Sequence, residues 1–119
     1  MRMSGLLFGW FVIASSSLGA GAKLDVQAPP LMLARGHLVV EATVEPDSAN
    51  CAIQVVAESS DWYRSSEVQL HGATAPRRST FEFKDLPSGY YEIRVVLLGS
   101  GGQERASVVR TLEVIAHAR

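Results

Sequence analysis

The residues best suited to binding chemistry stand together in one predicted polar loop, SSDWYRSS at 59–66. Trp, Tyr and Arg are the residue types that most often dominate binding energy, because they bury a large area at little cost in conformational entropy. A flat aromatic ring beside hydrogen-bonding groups can also stack on a sugar. Four neighbouring residues are therefore candidate binding residues: Asp61, Trp62, Tyr63 and Arg64.

The same aromatic side chains have a structural alternative. Large aromatic residues are highly buried on average, and a β-sandwich commonly contains a buried Trp. Trp62 or Tyr63 would then close the core rather than contact a ligand. The exposure of Trp62 distinguishes the two possibilities. A planar ring that faces solvent beside Tyr63 favours a sugar site, and a buried ring removes it.

Residues typical of metal sites and of nucleophilic catalysis are present but do not form motifs. The histidines His37, His71 and His117 have no spacing of two or four residues and no pair of cysteines beside them, whereas a zinc site needs three or four convergent ligands. No G-x-S-x-G segment occurs, and no strand–turn–helix pattern would hold one. The sequence therefore predicts no enzyme activity, no metal and no cofactor.

The charge of the chain limits the classes of partner, and its cysteine content limits the sources of stability. The chain has 11 basic and 12 acidic residues and a formal net charge of −1, which does not favour nucleic acid or an anionic membrane surface. Cys51 is the only cysteine, so packing must supply the stability that an internal disulfide would otherwise give. The parity of Cys51 with Ile53 predicts a buried free thiol, and an intermolecular disulfide is the alternative.

The elements that position these residues have a period of two, which is typical of half-buried strands. Pro29-Pro30 interrupts the first strand and predicts an edge position, because proline donates no hydrogen bond to a ladder. The break in alternation at Val108-Val109 predicts a β-bulge. Seven short strands, spaced about ten residues apart, predict an all-β fold, a seven-stranded antiparallel Greek-key sandwich. The clearest inward-facing sets are Leu38, Val40, Ala42 and Val44; Ile53, Val55 and Ala57; and Tyr91, Ile93, Val95 and Leu97.

Leu86-Pro87-Ser88-Gly89 is a predicted turn between two of these strands. Pro87 has the φ that a turn entry needs and Gly89 can take a positive φ; Leu86 anchors the turn, and Tyr91 follows on the inward face. This arrangement resembles the E–F corner of fibronectin type III and other immunoglobulin-like domains, in which a Tyr hydroxyl turns back to the backbone. The resemblance implies an Ig-like sandwich with a structural corner and no particular activity.

The same segment, with the pattern FxFxDLPxGxYxxRV, also resembles the end of a carboxypeptidase-regulatory or transthyretin-like module. That module is likewise a seven-stranded sandwich, so the resemblance leaves the strand topology open. The chain as a whole is similar to small exported bacterial proteins of unassigned activity. This similarity implies export and adds nothing about chemistry.

The first 22 residues, MRMSGLLFGWFVIASSSLGAGA, have the three-part order of a secretory signal peptide. Arg2 precedes the apolar run Leu6–Ala14, which is shorter than the roughly 20 residues that span a bilayer. Ala20-Gly21-Ala22 offers small residues to the signal peptidase. We therefore expect a signal-peptide helix at 1–22 and one Ig-like domain at 23–119, located in the periplasm or secreted. An uncleaved segment would instead attach the chain to a membrane.

Two functions of different class fit this architecture. The first is an exported, noncatalytic binding or structural module of the bacterial envelope or exterior, acting through loops or an edge strand such as Leu24–Ala28. The second is a carbohydrate-binding module that uses the Trp62/Tyr63 loop. The expected partner is accordingly a protein or a carbohydrate and not a nucleic acid.

The cleavage site is directly testable. Exported protein is expected to begin at Lys23, because the small side chains of Ala20 and Ala22 fit the peptidase cleft. Mass spectrometry of the N-terminal peptide measures this, with Ala22→Phe as the control that should block cleavage. Exported wild-type protein that retains Met1 would contradict the prediction.

Overall fold

The computed structural model describes residues 23–116, so the predicted signal peptide and His117 lie outside the described residues. The regular elements in this range are β-strands, apart from a 3-10 turn at Gly72–Thr74. Within it, no helix is long and apolar enough to cross a membrane. Its strands are β1 (Leu24–Gln27), β2 (Leu31–Leu33), β3 (Gly36–Val44), β4 (Ala52–Glu58), β5 (Tyr63–Gln69), β6 (Arg78–Leu86), β7 (Gly89–Leu98) and β8 (Glu104–Ile115).

The strands form two sheets around one core. The three-stranded sheet has the order β1-β3-β6, and the five-stranded sheet has the order β2-β8-β7-β4-β5. Every pairing is antiparallel except that of β2 with β8. Buried side chains from both sheets meet in a single cluster. The architecture is therefore an all-β, two-sheet sandwich, the layered solution in which each sheet buries one face.

The described residues form eight strands, where the sequence pattern predicts seven. The difference arises at Pro29-Pro30, which divides the predicted first strand into β1 and β2. β1 pairs with β3 in one sheet, and β2 pairs with β8 in the other, so the chain changes sheets at the prolines. Each half lies at the edge of its sheet, where a residue without an N–H removes no ladder hydrogen bond.

Burial follows the alternation of the sequence. Leu38, Val40 and Ala42 of β3 are fully buried, as are the facing residues Ile53 and Ile93 of the five-stranded sheet. Each such Leu, Val or Ile side chain contributes roughly 1.5–3 kcal/mol through removal of apolar surface from water. Cys51 shares their parity and is a free thiol, but it is only half-buried because it precedes the first residue of β4.

Two local predictions were wrong. Tyr63–Ser66 belongs to the edge strand β5 and not to a loop. The first five residues of β5 are all exposed, so the sequence there shows no alternation of apolar and polar residues. The bulge is not at Val108-Val109, because the register shifts where Leu97 pairs with Ala106 and the next residue pairs with Glu104. The apolar doublet is regular strand, and its second residue simply faces solvent.

The bulge at Arg105 stabilises one end of the sandwich. The Arg105 Nε donates to Asn50 Oδ1 at 3.0 Å, and the Asn50 amide donates to the Glu45 carbonyl at 3.1 Å. Asn50 is the buried polar residue of the described range, and a buried amide costs free energy unless it is hydrogen-bonded. These contacts join the β7–β8 hairpin to the β3–β4 crossover.

The β6–β7 turn has the contact that a tyrosine corner requires. Tyr91 is 3% exposed, and its hydroxyl donates to the Pro87 carbonyl at 2.6 Å. Leu86 is fully buried, and Gly89 has a φ of +151°, which residues with a side chain rarely adopt. Burial raises the pKa of Tyr91 above its ordinary value of 10.0, although the nearby Ser59 hydroxyl acts in the opposite direction.

Replacing Tyr91 by Phe removes this hydroxyl and keeps the buried ring. We expect Tyr91→Phe to lower the free energy of unfolding by about 0.5–1.5 kcal/mol, the net value of one hydrogen bond. Urea denaturation measures the change. Tyr90→Phe is the matched control, because the neighbouring ring is 78% exposed and its hydroxyl already contacts water. Equal midpoints for the two variants would contradict a structural role for the corner.

The same variant has an alkaline signature. A group whose pKa is higher in the folded than in the unfolded state stabilises the protein fully below the unfolded value and loses that effect as the pH rises through the folded value. Because the pKa of Tyr91 is raised, wild-type stability should fall above about pH 10 more steeply than that of Tyr91→Phe. Parallel pH profiles would exclude this linkage.

Candidate binding surface

The β4–β5 hairpin distributes the four candidate residues over different surfaces. The Ser59 N–H donates to the Trp62 carbonyl at 2.8 Å and closes the turn, in which Asp61 is exposed. From Tyr63 onward the chain is strand, so neighbouring side chains alternate between faces. Tyr63 lies opposite the exposed Glu58, whereas Arg64 lies opposite the buried Ala57. The structure therefore does not bring the four side chains to one surface.

Trp62 lies against the core at this end of the sandwich. It is half-buried and packs edge-on against the Tyr91 ring, with centroids 5.4 Å apart and an interplanar angle of 76°. The Arg64 guanidinium lies over the Trp62 ring, 5.1 Å from its centroid, within the range of a cation–π interaction. This placement is that of the structural alternative, in which Trp62 covers the core, and it leaves Tyr63 as the outward aromatic residue of the hairpin.

Exposed hydrophobic side chains collect on the outer face of the five-stranded sheet. Glu113 of β8 lies between Tyr90 of β7 and Leu31 of β2, and Leu33 lies beside Ile115. An outer sheet face is ordinarily polar, and a contiguous apolar patch on a protein surface indicates an interaction site. Of the seven exposed large hydrophobic residues in 23–116, all but Val39 are on this face: Leu31, Leu33, Tyr63, Tyr90, Val109 and Ile115.

An open groove of about 640 Å³ adjoins these residues. Its walls include Tyr90, Glu113 and the cross-strand neighbours Glu58 and Glu92, and Tyr63 lies on the far side of Glu58. Three strands contribute to it because β4, β7 and β8 are adjacent in the sheet. The groove therefore combines an exposed aromatic ring with hydrogen-bond acceptors on a rigid β-scaffold.

The groove is acidic. Glu58 and Glu92 are directly opposite in the β4–β7 register, an arrangement that destabilises a sheet when the charges are alike. Arg94 offsets part of this repulsion, because its guanidinium lies 3.1 Å from the Glu92 carboxylate. Within 23–116, Glu58 and Glu113 form no ion pair. The surface consequently offers carboxylates to a bound molecule.

The histidines of the described range lie elsewhere. His37 contacts Glu82 at 3.1 Å on the outer face of the three-stranded sheet, and His71 precedes the 3-10 turn. No group of three or more His, Cys, Asp or Glu side chains in 23–116 is placed to hold a metal ion.

Part of this surface was legible in the sequence. Once Tyr91 is assigned inward by the corner, Tyr90 must face outward, and an outward aromatic residue in a strand is a binding signal. Leu31 and Leu33 gave no such signal, because the pattern does not show β2 as a separate strand. Glu58 and Glu113 read as ordinary solvated strand residues.

Comparison with known proteins supports the fold alone. No protein-family model matches the chain, and no curated protein matches it. A CARDB domain from Pyrococcus furiosus, solved in complex with di-metal ions, is similar over 85% of this chain and 100% of that chain, with a TM-score of 0.55 and 15% identity. The chain is thus an immunoglobulin-like β-sandwich in its architecture.

A second solved structure contains a similar sandwich within a larger protein. It is a family 76 glycoside hydrolase from a bovine Bacteroides thetaiotaomicron strain, matched with a TM-score of 0.53 and 13% identity over 75% of this chain. The match covers 20% of the hydrolase chain. At such identities the likeness describes the scaffold, which hosts many unrelated functions.

The placement of Trp62 is testable by its effect on stability. Trp62→Ala removes the contact with Tyr91 and part of the core cover, and it should lower the free energy of unfolding by about 2–3 kcal/mol, less than a fully buried aromatic residue costs. Tyr63→Ala is the matched control and should cost below about 1 kcal/mol, the scale of one cross-strand pair. An unchanged unfolding midpoint for Trp62→Ala would contradict the structural role of the ring and make it a candidate binding group again.

Proposed function

We propose that this chain is an exported, noncatalytic binding module of the bacterial envelope or exterior, built as an Ig-like Greek-key sandwich, and that it binds a partner protein. The observation that supports this most is the outer face of the five-stranded sheet, which carries six of the seven exposed large hydrophobic side chains of residues 23–116. Export is supported by the signal-peptide pattern of residues 1–22.

The sheet face is a better binding surface than the loops or the first edge strand. In the β4–β5 hairpin, Trp62 and Arg64 already contact each other and Trp62 covers the core. β1 is an edge with four residues, which limits the backbone hydrogen bonds that an added strand could form. The outer face instead presents fixed side chains on paired strands, so binding requires little ordering.

A carbohydrate ligand is the second candidate, and the positions of two tyrosines favour it. Tyr63 and Tyr90 are 58% and 78% exposed, and Glu58 and Glu92 lie between them in the register. Strand spacing and rise place the two tyrosine positions about 12 Å apart. Two rings could stack on separate sugar units while the carboxylates accept hydrogen bonds from hydroxyl groups.

Photo-crosslinking in the native cell tests the protein-binding function. Benzoylphenylalanine in place of Tyr90 should form adducts of defined mass with an envelope or secreted protein, because a partner would cover this position. The matched control places the same residue at Val39, the exposed hydrophobic position on the other sheet. Adducts of equal yield at both positions would contradict the proposal.

The carbohydrate alternative has its own measurement. Binding to a glycan array should be lost in Tyr63→Ala and in Tyr90→Ala but kept in the Val39→Ala control. If glycan binding follows this pattern and position 90 forms no protein adduct, the second candidate replaces the first.

A further inference from the structure

We propose that the partner's docking segment is a polypeptide that carries aliphatic side chains next to Lys or Arg, and that it docks on the corner where β2, β8 and β7 meet. This inference rests on the proposed function, since it specifies the chemistry of a protein partner at the same sheet face. The corner patch consists of Leu31, Leu33, Tyr90 and Ile115 arranged around Glu113.

Three apolar residues of the patch are adjacent. Leu31 and Leu33 share one face of β2, and Leu33 neighbours Ile115 in the β2–β8 ladder, whereas Tyr90 lies across Glu113 from Leu31. Leu31 and Leu33 are each 55% exposed, although β2 is only three residues long and would tolerate polar residues here. Covering these side chains removes apolar area from water at about 25 cal/mol per Å², so the partner presents aliphatic groups.

The charged residues of the patch determine the sign of the charge that the partner carries. Glu113 lies at its centre, and Glu92 and Glu58 follow along the adjoining groove. Arg94 on this face already pairs with Glu92, and Arg35 at the edge of the patch pairs with Asp85. A partner with Lys or Arg beside its aliphatic residues would compensate the remaining carboxylates, and such complementarity mainly determines specificity and association rate.

Charge also argues against a second copy of this chain as the occupant. In a symmetric dimer the same patch lies on both subunits, so two such faces would place Glu113 and its neighbouring carboxylates against their own copies. Like charges brought together in an interface cost several kcal/mol.

Residues 1–22 are a poorer occupant as well, because an exported chain would lose them with its signal peptide.

Two synthetic peptides of equal length test the inference on ¹⁵N-labelled protein expressed from the complete sequence. One peptide alternates Leu with Lys, and the other alternates Leu with Glu. The Leu–Lys peptide should shift the amide resonances of the corner patch, and the Leu–Glu peptide should not. The affinity should fall as salt is raised, because the exposed charges are then screened.

Matched variants locate the effect. Tyr90→Ser and Glu113→Lys should each weaken Leu–Lys binding by about tenfold or more, the loss expected for a residue that contributes over about 1.4 kcal/mol. Val39→Ser and Glu82→Lys make the same changes on exposed residues of the other sheet and should leave the affinity unchanged. Thermal melting of every variant verifies folding before the titration is compared.

Four results would overturn the inference. Equal shifts with both peptides would remove the charge preference, and equal losses in the Val39 and Tyr90 variants would remove the site. A dimer that Tyr90→Ser dissociates would make a second copy the occupant. If the Leu–Lys peptide fails while crosslinks at position 90 remain specific, only the partner chemistry is wrong; if the crosslinks also fail, the protein-binding function is wrong.

Discussion

The burial of Tyr91 is the constraint on which the candidate surface depends. Its hydroxyl donates a hydrogen bond to the Pro87 carbonyl and its ring packs against Trp62. These contacts fix which residues of β7 face the core at this end. Strict alternation then directs Tyr90 and Glu92 to the outer face. A shift of the β7 register by one residue would bury a Glu carboxylate and expose the Tyr91 side chain. The contacts of the buried Tyr91 therefore also determine that the Tyr90 ring faces solvent.

A second constraint comes from the prolines that end β1. Because Pro30 cannot donate to a ladder, the chain leaves the three-stranded sheet and resumes as β2 beside β8. This crossing gives the five-stranded sheet an extra edge strand, and that strand adds Leu31 and Leu33 to the outer face. The asymmetry between the sheets thus follows from two prolines, of which Pro30 also lines the groove.

The alternation of apolar residues was sufficient to predict where the core lies. The burial of Leu38, Ile53 and Ile93 is predicted by alternation, because a strand that contributes to a core has apolar residues on one face. The alternation predicts a short strand at Glu67–His71, which covers only the last part of β5. The first part, Tyr63–Ser66, could not be predicted in the same way, because its residues are all exposed and no apolar period exists there. The candidate site was missed for a related reason: it combines residues from β2, β4, β7 and β8 that become neighbours only through the strand order.

An exposed apolar face creates a risk of self-association, and the position of Glu113 bears on that risk. Natural sheets avoid unwanted pairing by placing charges within or beside exposed hydrophobic segments. Glu113 is flanked on both sides by apolar residues, so an apolar or acidic surface that covered the patch would leave its carboxylate desolvated and unpaired, which is costly. A basic surface would pair with it. Under the proposed function, the same carboxylate would disfavour contact between copies of the chain and favour a cationic partner.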